Sequence, residues 1–292
     1  MVRASRWPVM VAAILFGATT AWLAGLQPAA EGSRPIDVFM RPGSPARVIA
    51  HRGFSGRAPE NTMAAFREAI AVGADMIELD VLLSRDGDVI VLHDETVDRT
   101  TPSAGRAADL GTTTLVSLDA GTWFDPGFAG EPIPLLADAL DLVRDRILLN
   151  IEIKTEAVRD DPDEGIAAKV IDLVRSRSMA DRVVVSSFDP RAITHLRSLA
   201  PELRTALLYS ADAWQNRVPV EALLESGADG LNVSDRLVTP DLVAATHATG
   251  RPLAVYTVND PARLRELVTL GVDAVFTDRP DLFLEVLGRV PR

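Results

Sequence analysis

Glu78 and Asp80 stand two residues apart in a run that reads as a β-strand, and Glu152 and Lys154 repeat that spacing in another. Side chains at i and i+2 of a strand point to one face, so each pair presents its charges together. Three carboxylates converging from two strands, with one lysine, leave negative charge in excess. Inward-facing charge of this kind needs compensation, and an all-oxygen donor set suits Ca²⁺ or Mg²⁺ rather than zinc. The structural alternative is a buried salt-bridge cluster around Glu152 and Lys154. His51 and His93 each end a predicted strand and each precede a charged residue, Arg52 or Asp94. Imidazoles so placed suit proton transfer near neutral pH, although each alone could be a packing residue. Arg52 offers paired donors for two phosphate oxygens; its alternative is an ion pair, for example with Glu60. A metal, two cations and a His pair together suggest phosphoryl transfer. The remaining histidines, His195 and His247, fall in predicted helices and read as surface or packing residues. Ser187 lies in no Gly-x-Ser-x-Gly motif, so a hydrolase elbow is unsupported. Asn61 and Thr62 read as helix caps first and ligand contacts second.

These groups need a scaffold that brings strand ends together. Short β-branched runs at 48–51, 76–81, 89–93, 147–154, 183–187, 205–209, 230–233, 253–258 and 274–277 read as strands. Several are almost continuously apolar, as expected for strands covered on both faces. Helical patterns lie at 61–72, 135–145, 166–176, 191–199, 219–226, 241–249 and 261–270. Three junctions share a form: Gly73-Ala74-Asp75, Gly227-Ala228-Asp229 and Gly271-Val272-Asp273, each a helix-ending Gly before a strand. The alternation predicts an α/β fold, a TIM (β/α)₈ barrel, with its polar residues at the C-terminal strand ends where such barrels keep their chemistry. A doubly wound sheet is the runner-up, and the Gly-x-Gly-x-x-Gly fingerprint it would favour is missing. Residues 82–88 are too few for a helix, so one strand is extra or pairs outside the barrel. Residues 94–134, weakly periodic and rich in Gly, Thr and Asp, read as a small subdomain inserted after the third strand and capping one barrel end.

The chain has 292 residues, 47% hydrophobic and 24% charged, which excludes a disordered chain, a collagen and a polytopic membrane protein. A net charge of −11 argues against broad nucleic-acid binding, which needs clustered Lys and Arg. The absence of cysteine excludes thiolate nucleophiles, zinc fingers, iron–sulfur clusters and disulfides. Residues 7–26 carry no charge and follow Arg3 and Arg6. An apolar helix of that length spans roughly 30 Å, about a bilayer core. Residues 1–30 therefore read as a signal anchor, with a cleaved signal peptide as the alternative. Residues 31–45 read as linker and 46–292 as the barrel. The expected location is the cell membrane with an extracytoplasmic catalytic domain, or secretion if the segment is cleaved.

The ordered motifs resemble the glycerophosphodiester phosphodiesterase family. They are His51-Arg52-Gly53, Pro59-Glu60-Asn61-Thr62, Glu78-Leu79-Asp80-Val81, Asp86-Gly87, His93-Asp94, Asp98-Arg99-Thr100, Leu118-Asp119-Ala120-Gly121 with Trp123-Phe124, Ile133-Pro134-Leu135, Glu152-Ile153-Lys154, Ser187-Phe188, Thr257-Val258-Asn259 and Thr277-Asp278-Arg279-Pro280. The resemblance implies a TIM barrel with an insertion after His-Asp. It implies metal-dependent hydrolysis of glycerophosphodiesters to sn-glycerol 3-phosphate and an alcohol, commonly drawn through a cyclic phosphate. By the same resemblance Glu78, Asp80 and Glu152 would bind the divalent ion, His51 and His93 would be the acid/base pair, and Arg52 and Lys154 would hold phosphate. Tyr256 departs from the Trp usual before Thr-Val-Asn, keeping an aromatic wall for substrate. The rival activities are lysophospholipase D-like cleavage of lysolipids, with Phe124 and Phe128 lining an acyl channel or packing the insertion, and a membrane-tethered binding protein without catalysis.

Overall fold

Nine strands form one sheet in the computed structural model of the protein, which describes residues 35–163 and 165–290. In chain order they are β1 (Arg47–Ala50), β2 (Met76–Leu83), β3 (Val89–Val91), β4 (Leu148–Ile153), β5 (Val183–Ser187), β6 (Arg204–Leu208), β7 (Gly230–Ser234), β8 (Leu253–Tyr256) and β9 (Ala274–Thr277). All but β3 pair in parallel, and β1 joins both β9 and β2, so eight strands close into a barrel. Closure rules out the doubly wound sheet. β3 runs antiparallel on β2 outside the ring and accounts for the surplus strand. The described residues belong to the unit Ser33–Arg292. The expected signal anchor or signal peptide at 1–30 lies outside them, and among the described residues no helix is long and apolar enough to cross a membrane.

One helix follows each barrel strand. These are α2 (Met63–Val72), α4 (Leu136–Val143), α5 (Ile166–Ser176), α6 (Pro190–Leu199), α7 (Pro219–Ser226), α8 (Pro240–Ala248), α9 (Pro261–Leu270) and α10 (Pro280–Val286), the last not anticipated from periodicity. From α6 onward each opens on proline, whose missing N–H and fixed φ suit a first helical turn. Asp189, Thr239 and Asp260 cap three of these helices by accepting from backbone N–H groups. The strand period of two divides the core. Ile77, Leu79 and Val81 face outward into the layer shared with the helices, whereas Met76 faces the barrel interior. The segment read as linker carries α1 (Pro35–Phe39), whose Ile36 and Phe39 are buried among Ile49, Met76, Val184 and Phe276 inside the barrel. Residues 94–134 hold the short α3 (Thr112–Leu115), and their Val97, Leu115 and Ile133 join the outer core, so the insertion is not an independent unit.

The three Gly-x-Asp junctions form one repeated device. Gly73, Gly227 and Gly271 end their helices in the left-handed region, at φ 88°, 68° and 84°. Two residues on, each aspartate accepts the first free N–H of a neighbouring strand: Asp75 from Val48 at 2.9 Å, Asp229 from Thr205 at 2.9 Å and Asp273 from Leu253 at 2.7 Å. Asp273 also accepts from Gly43 and bonds His247, which is the packing role read for that histidine. Asp273→Ala strands a buried N–H, so denaturant melts should show a loss of about 3 kcal/mol with kcat unchanged, because this end of the barrel is opposite the strand termini that carry chemistry. An unaltered midpoint would contradict this role.

Candidate active site

The register of β2 against β4 sets Asp80 beside Glu152 and Glu78 beside Asn150. Glu78, Asp80 and Glu152 each offer an oxygen, and the three oxygens lie within 4.8 Å of one another. All three side chains are buried or nearly so. Their partners come from the β1–α2 loop and from β4's own end. Arg52 donates its backbone N–H to Glu78 Oε2 at 2.9 Å. That approach needs a left-handed turn, with Arg52 at φ 55° and Gly53 at φ 81°. A Cβ on Gly53 would lie 2.7 Å from the Ala65 backbone, so only glycine fits. Asn61, also left-handed at φ 57°, donates its amide to Asp80 Oδ2 at 2.8 Å. Thr62 alone caps α2. Lys154 donates to Glu152 Oε1 at 2.9 Å and reaches Asp80 Oδ1 at 3.4 Å.

These cations do not balance the cluster. Burial, reinforced by Asp80 and Glu152, pushes the Glu78 carboxyl well above the usual carboxylate range. Burial and Asp80 push Glu152 up to about 7 despite Lys154. Burial would raise Asp80 too, but Lys154, Arg52 and His93 outweigh it and hold that carboxyl low. Among the described residues, Glu78 Oε1 is buried with no hydrogen-bond partner. An orphaned oxygen, surplus negative charge and hard oxygen donors fit a divalent cation.

Both histidines sit on carboxylates. His51 follows β1, and its Nδ1 lies 2.7 Å from Asp278 Oδ1. Asp278 also accepts from Ser55 at 2.9 Å and Asn259 at 2.7 Å. Burial would raise this carboxyl, but its hydrogen bonds with His51, Asn259 and Ser55 hold it at about 2. His93 owes its place to the hairpin. β2 runs eight residues, longer than any other strand, and β3 returns antiparallel so that Leu92 donates to the Asp80 carbonyl at 3.0 Å. The next residue is His93, whose Nδ1 lies 2.6 Å from Asp94 Oδ1. Burial lowers the His93 pKa. Asp94 is held at about 2 by Arg99 and His93, against burial. With each Nδ1 engaged by a carboxylate, Nε2 is the nitrogen left to exchange a proton with a ligand.

His51, Arg52, Glu78, His93, Glu152, Lys154 and Tyr256 line one open cleft of about 200 Å³, with Asp80 buried beside them. The expected site residues are therefore brought together. Phe188, Leu208, Thr257 and Phe276 complete the lining. Tyr256 packs edge-on to Phe188 at 5.8 Å and to Phe276 at 6.5 Å, and its hydroxyl donates to the Tyr209 carbonyl at 3.0 Å. Arg52 meets both readings, lining the cleft and pairing with Glu60 at 2.8 Å. Phe124 and Phe128 pack edge-to-face, 5.8 Å apart, and are not among the cleft's lining. Ser187 donates to the Ile153 carbonyl, a structural bond. Sequence reasoning gave no role to Arg99, read Glu60 only as an ion-pair partner for Arg52, and noted Asp94, Asn259 and Asp278 only as strand-end residues. The motifs Pro-Glu-Asn-Thr, Asp-Arg-Thr and Thr-Val-Asn were the available signal.

Residues 51–282 match the glycerophosphoryl diester phosphodiesterase family. A glycerophosphodiester phosphodiesterase of Caldanaerobacter subterraneus is 38% identical over 83% of this chain and 98% of that protein. The crystal structure of an Agrobacterium tumefaciens glycerophosphodiester phosphodiesterase superposes with a TM-score of 0.72 at 36% identity, over 82% of this chain and 99% of that one. An Oleispira antarctica phosphodiesterase, solved in complex with the product sn-glycerol-3-phosphate, gives a TM-score of 0.76 at 32% identity, over 83% and 96% of the two chains.

The cluster's electrostatics have a measurable sign. A carboxyl whose folded pKa is raised favours folding at low pH and disfavours it once ionised. For Glu152 that change runs from about 4.5 to about 7. Without divalent ions, Glu152→Gln should melt at or above the wild type, by a margin that widens across that window. With Ca²⁺ or Mg²⁺ the order should reverse, because the wild type gains the ion. Thermal melts that show equal metal stabilisation of both proteins would contradict the ligand assignment.

Proposed function

The chain belongs to the glycerophosphoryl diester phosphodiesterase family, and from that premise we propose that its cleft hydrolyses glycerophosphodiesters to sn-glycerol 3-phosphate and an alcohol. The observation that carries this reading is the shared cleft: a carboxylate cluster with an orphaned oxygen opens onto two carboxylate-paired histidines and two cationic side chains. The product bound in the Oleispira structure supports the same class of substrate.

Glu78, Asp80 and Glu152 would hold the ion, Ca²⁺ or Mg²⁺ by the hardness of their oxygens. When bound there, the ion would supply Lewis-acid stabilisation of phosphate charge. Arg52 and Lys154 present N–H donors to the remaining phosphate oxygens, where charge grows as the nucleophile attacks. One histidine takes the nucleophile's proton at Nε2 and the other gives a proton to the leaving alcohol. Asp278 and Asp94 hold the rings in the Nδ1–H tautomer and favour the imidazolium that forms on proton uptake. Tyr256, with Phe188, supplies an aromatic wall against the organic part of the substrate. Phe124 and Phe128 pack on each other away from the cleft, so an acyl channel is not built from them. The uncharged run at 7–26 supports action outside the cytoplasm; recovery of the full chain in the cytoplasmic fraction would count against that placement.

The test follows sn-glycerol 3-phosphate release from glycerophosphocholine by metal-stripped protein, before and after Ca²⁺ or Mg²⁺ is restored. Turnover should appear only with the ion. His51→Ala and His93→Ala should each lower kcat by about 10²–10⁴ while the melting temperature is kept. Full activity in either variant would overturn the mechanism. Cleavage of lysophosphatidylcholine alone would move the assignment to lysolipids, and no turnover on either substrate would leave the binding-protein reading.

A further inference from the structure

Outside the groups assigned above, one side chain of the insertion joins two of them. Arg99 donates Nε–H to Asp94 Oδ2 at 2.6 Å. Its other two nitrogens donate to Glu60, at 2.9 Å to Oε2 and 2.7 Å to Oε1. Each carboxylate also binds a second partner. Asp94 Oδ1 holds His93 Nδ1 at 2.6 Å, and Glu60 Oε1 accepts from Arg52 at 2.8 Å. The result is an unbroken chain, His93–Asp94–Arg99–Glu60–Arg52, that starts at a proton-transfer group and ends at a phosphate donor. Arg99 itself is not among the cleft's lining.

We propose that Arg99 is a positioning residue for the hydrolysis: by bridging Asp94 and Glu60 it holds the His93 ring and the Arg52 guanidinium in register on one phosphodiester. The inference rests on the roles proposed above for His93 and Arg52.

The chemistry of the guanidinium makes this residue type necessary. Its Nε edge and its two terminal nitrogens present donors in a rigid plane, so one side chain can engage two carboxylates in different directions. An ammonium has no such fork. The insertion also fixes the plane: the guanidinium carbon lies 5.8 Å from the Trp123 ring centroid, and Trp123 is pinned by its own bond from Nε1 to the Ala120 carbonyl at 2.8 Å. Without Arg99, and among the described residues, Asp94 would keep His93 alone and Glu60 would keep Arg52 alone, so the His93–Asp94 pair would lose its tie to Glu60 and Arg52 would rest on Glu60 and on its 3.4 Å ion pair with Asp80. Among the described residues the His51 side has no such cation: the partners of Asp278 beyond His51 are the neutral Ser55 and Asn259. The inserted segment thus serves the site by orientation, through one half of the catalytic pair.

The test uses the full chain with saturating Ca²⁺ or Mg²⁺ and glycerophosphocholine. Arg99→Ala should lower kcat by about 100-fold, the scale of a small misplacement of reacting groups, with a smaller rise in KM. Arg99→Lys, which keeps the charge, should not restore kcat. Added guanidinium ion should recover part of the activity of Arg99→Ala and none of His93→Ala. Thermal melts of both Arg99 variants should keep the metal-induced rise, showing an intact fold and cluster. Unchanged kcat and KM in Arg99→Ala, beside an active wild type, would overturn the proposal and leave the reading of the site standing. Recovery of full kcat in Arg99→Lys would also overturn it, as would loss of turnover together with the melting transition, which would mark a folding role only. An inactive wild type would instead remove the reading on which the proposal rests.

Discussion

Three carboxylates share a space less than 5 Å across at the mouth of an apolar barrel, and the surrounding structure is arranged around their mutual repulsion. In a low-dielectric site, like charges at that spacing cannot all ionise without partners. Their neighbours answer them in turn. The Arg52 backbone, bent into a left-handed turn by Gly53, answers Glu78; the Asn61 amide answers Asp80; Lys154 spans Asp80 and Glu152. What remains unanswered is one buried oxygen of Glu78 and a surplus of negative charge. That remainder fits a divalent cation.

The same constraint explains the break in the barrel's regularity. A strict repeat would send the chain from β2 straight into a helix. Instead β2 overshoots, β3 returns, and His93 arrives beside the Asp80 strand segment. The insertion that follows contributes to the shared core through Val97, Leu115 and Ile133, and through Arg99 it holds Asp94 and Glu60. At the opposite end the requirement is stability rather than chemistry. There aspartates after helix-ending glycines satisfy strand N–H groups, and α1 fills the interior with Ile36 and Phe39.

The strands and helices were legible because their signals are local. Apolar runs, helical periodicity and glycine at helix ends mark them one at a time, and the inward pairs Glu78/Asp80 and Glu152/Lys154 follow from strand geometry. Barrel closure was legible as a class, and the fate of the extra strand was not, because antiparallel pairing of β3 on β2 is a question of partners rather than of propensity. The helical segment Pro35–Phe39 was hidden for a similar reason: five residues carry too little periodicity, and only the barrel interior gives Ile36 and Phe39 something to bury against. Glu60 was already legible as a partner for Arg52, whereas the supporting Arg99, Asp278 and Asn259 were carried by motifs whose residues are charged or polar, types that on sequence grounds belong equally to a solvated surface. Their roles appear only when segments as distant as 51 and 278 meet.

The central claim is that the carboxylate cluster is a divalent-cation site whose occupancy governs hydrolysis. Equilibrium dialysis of the metal-stripped protein against Ca²⁺ or Mg²⁺, with turnover assayed on the same samples, tests it most directly. The account predicts one ion bound per chain, turnover rising in proportion to occupancy, and loss of both in Glu78→Gln. Full turnover in a protein shown to hold no ion, or ion binding untouched by that substitution, would contradict it.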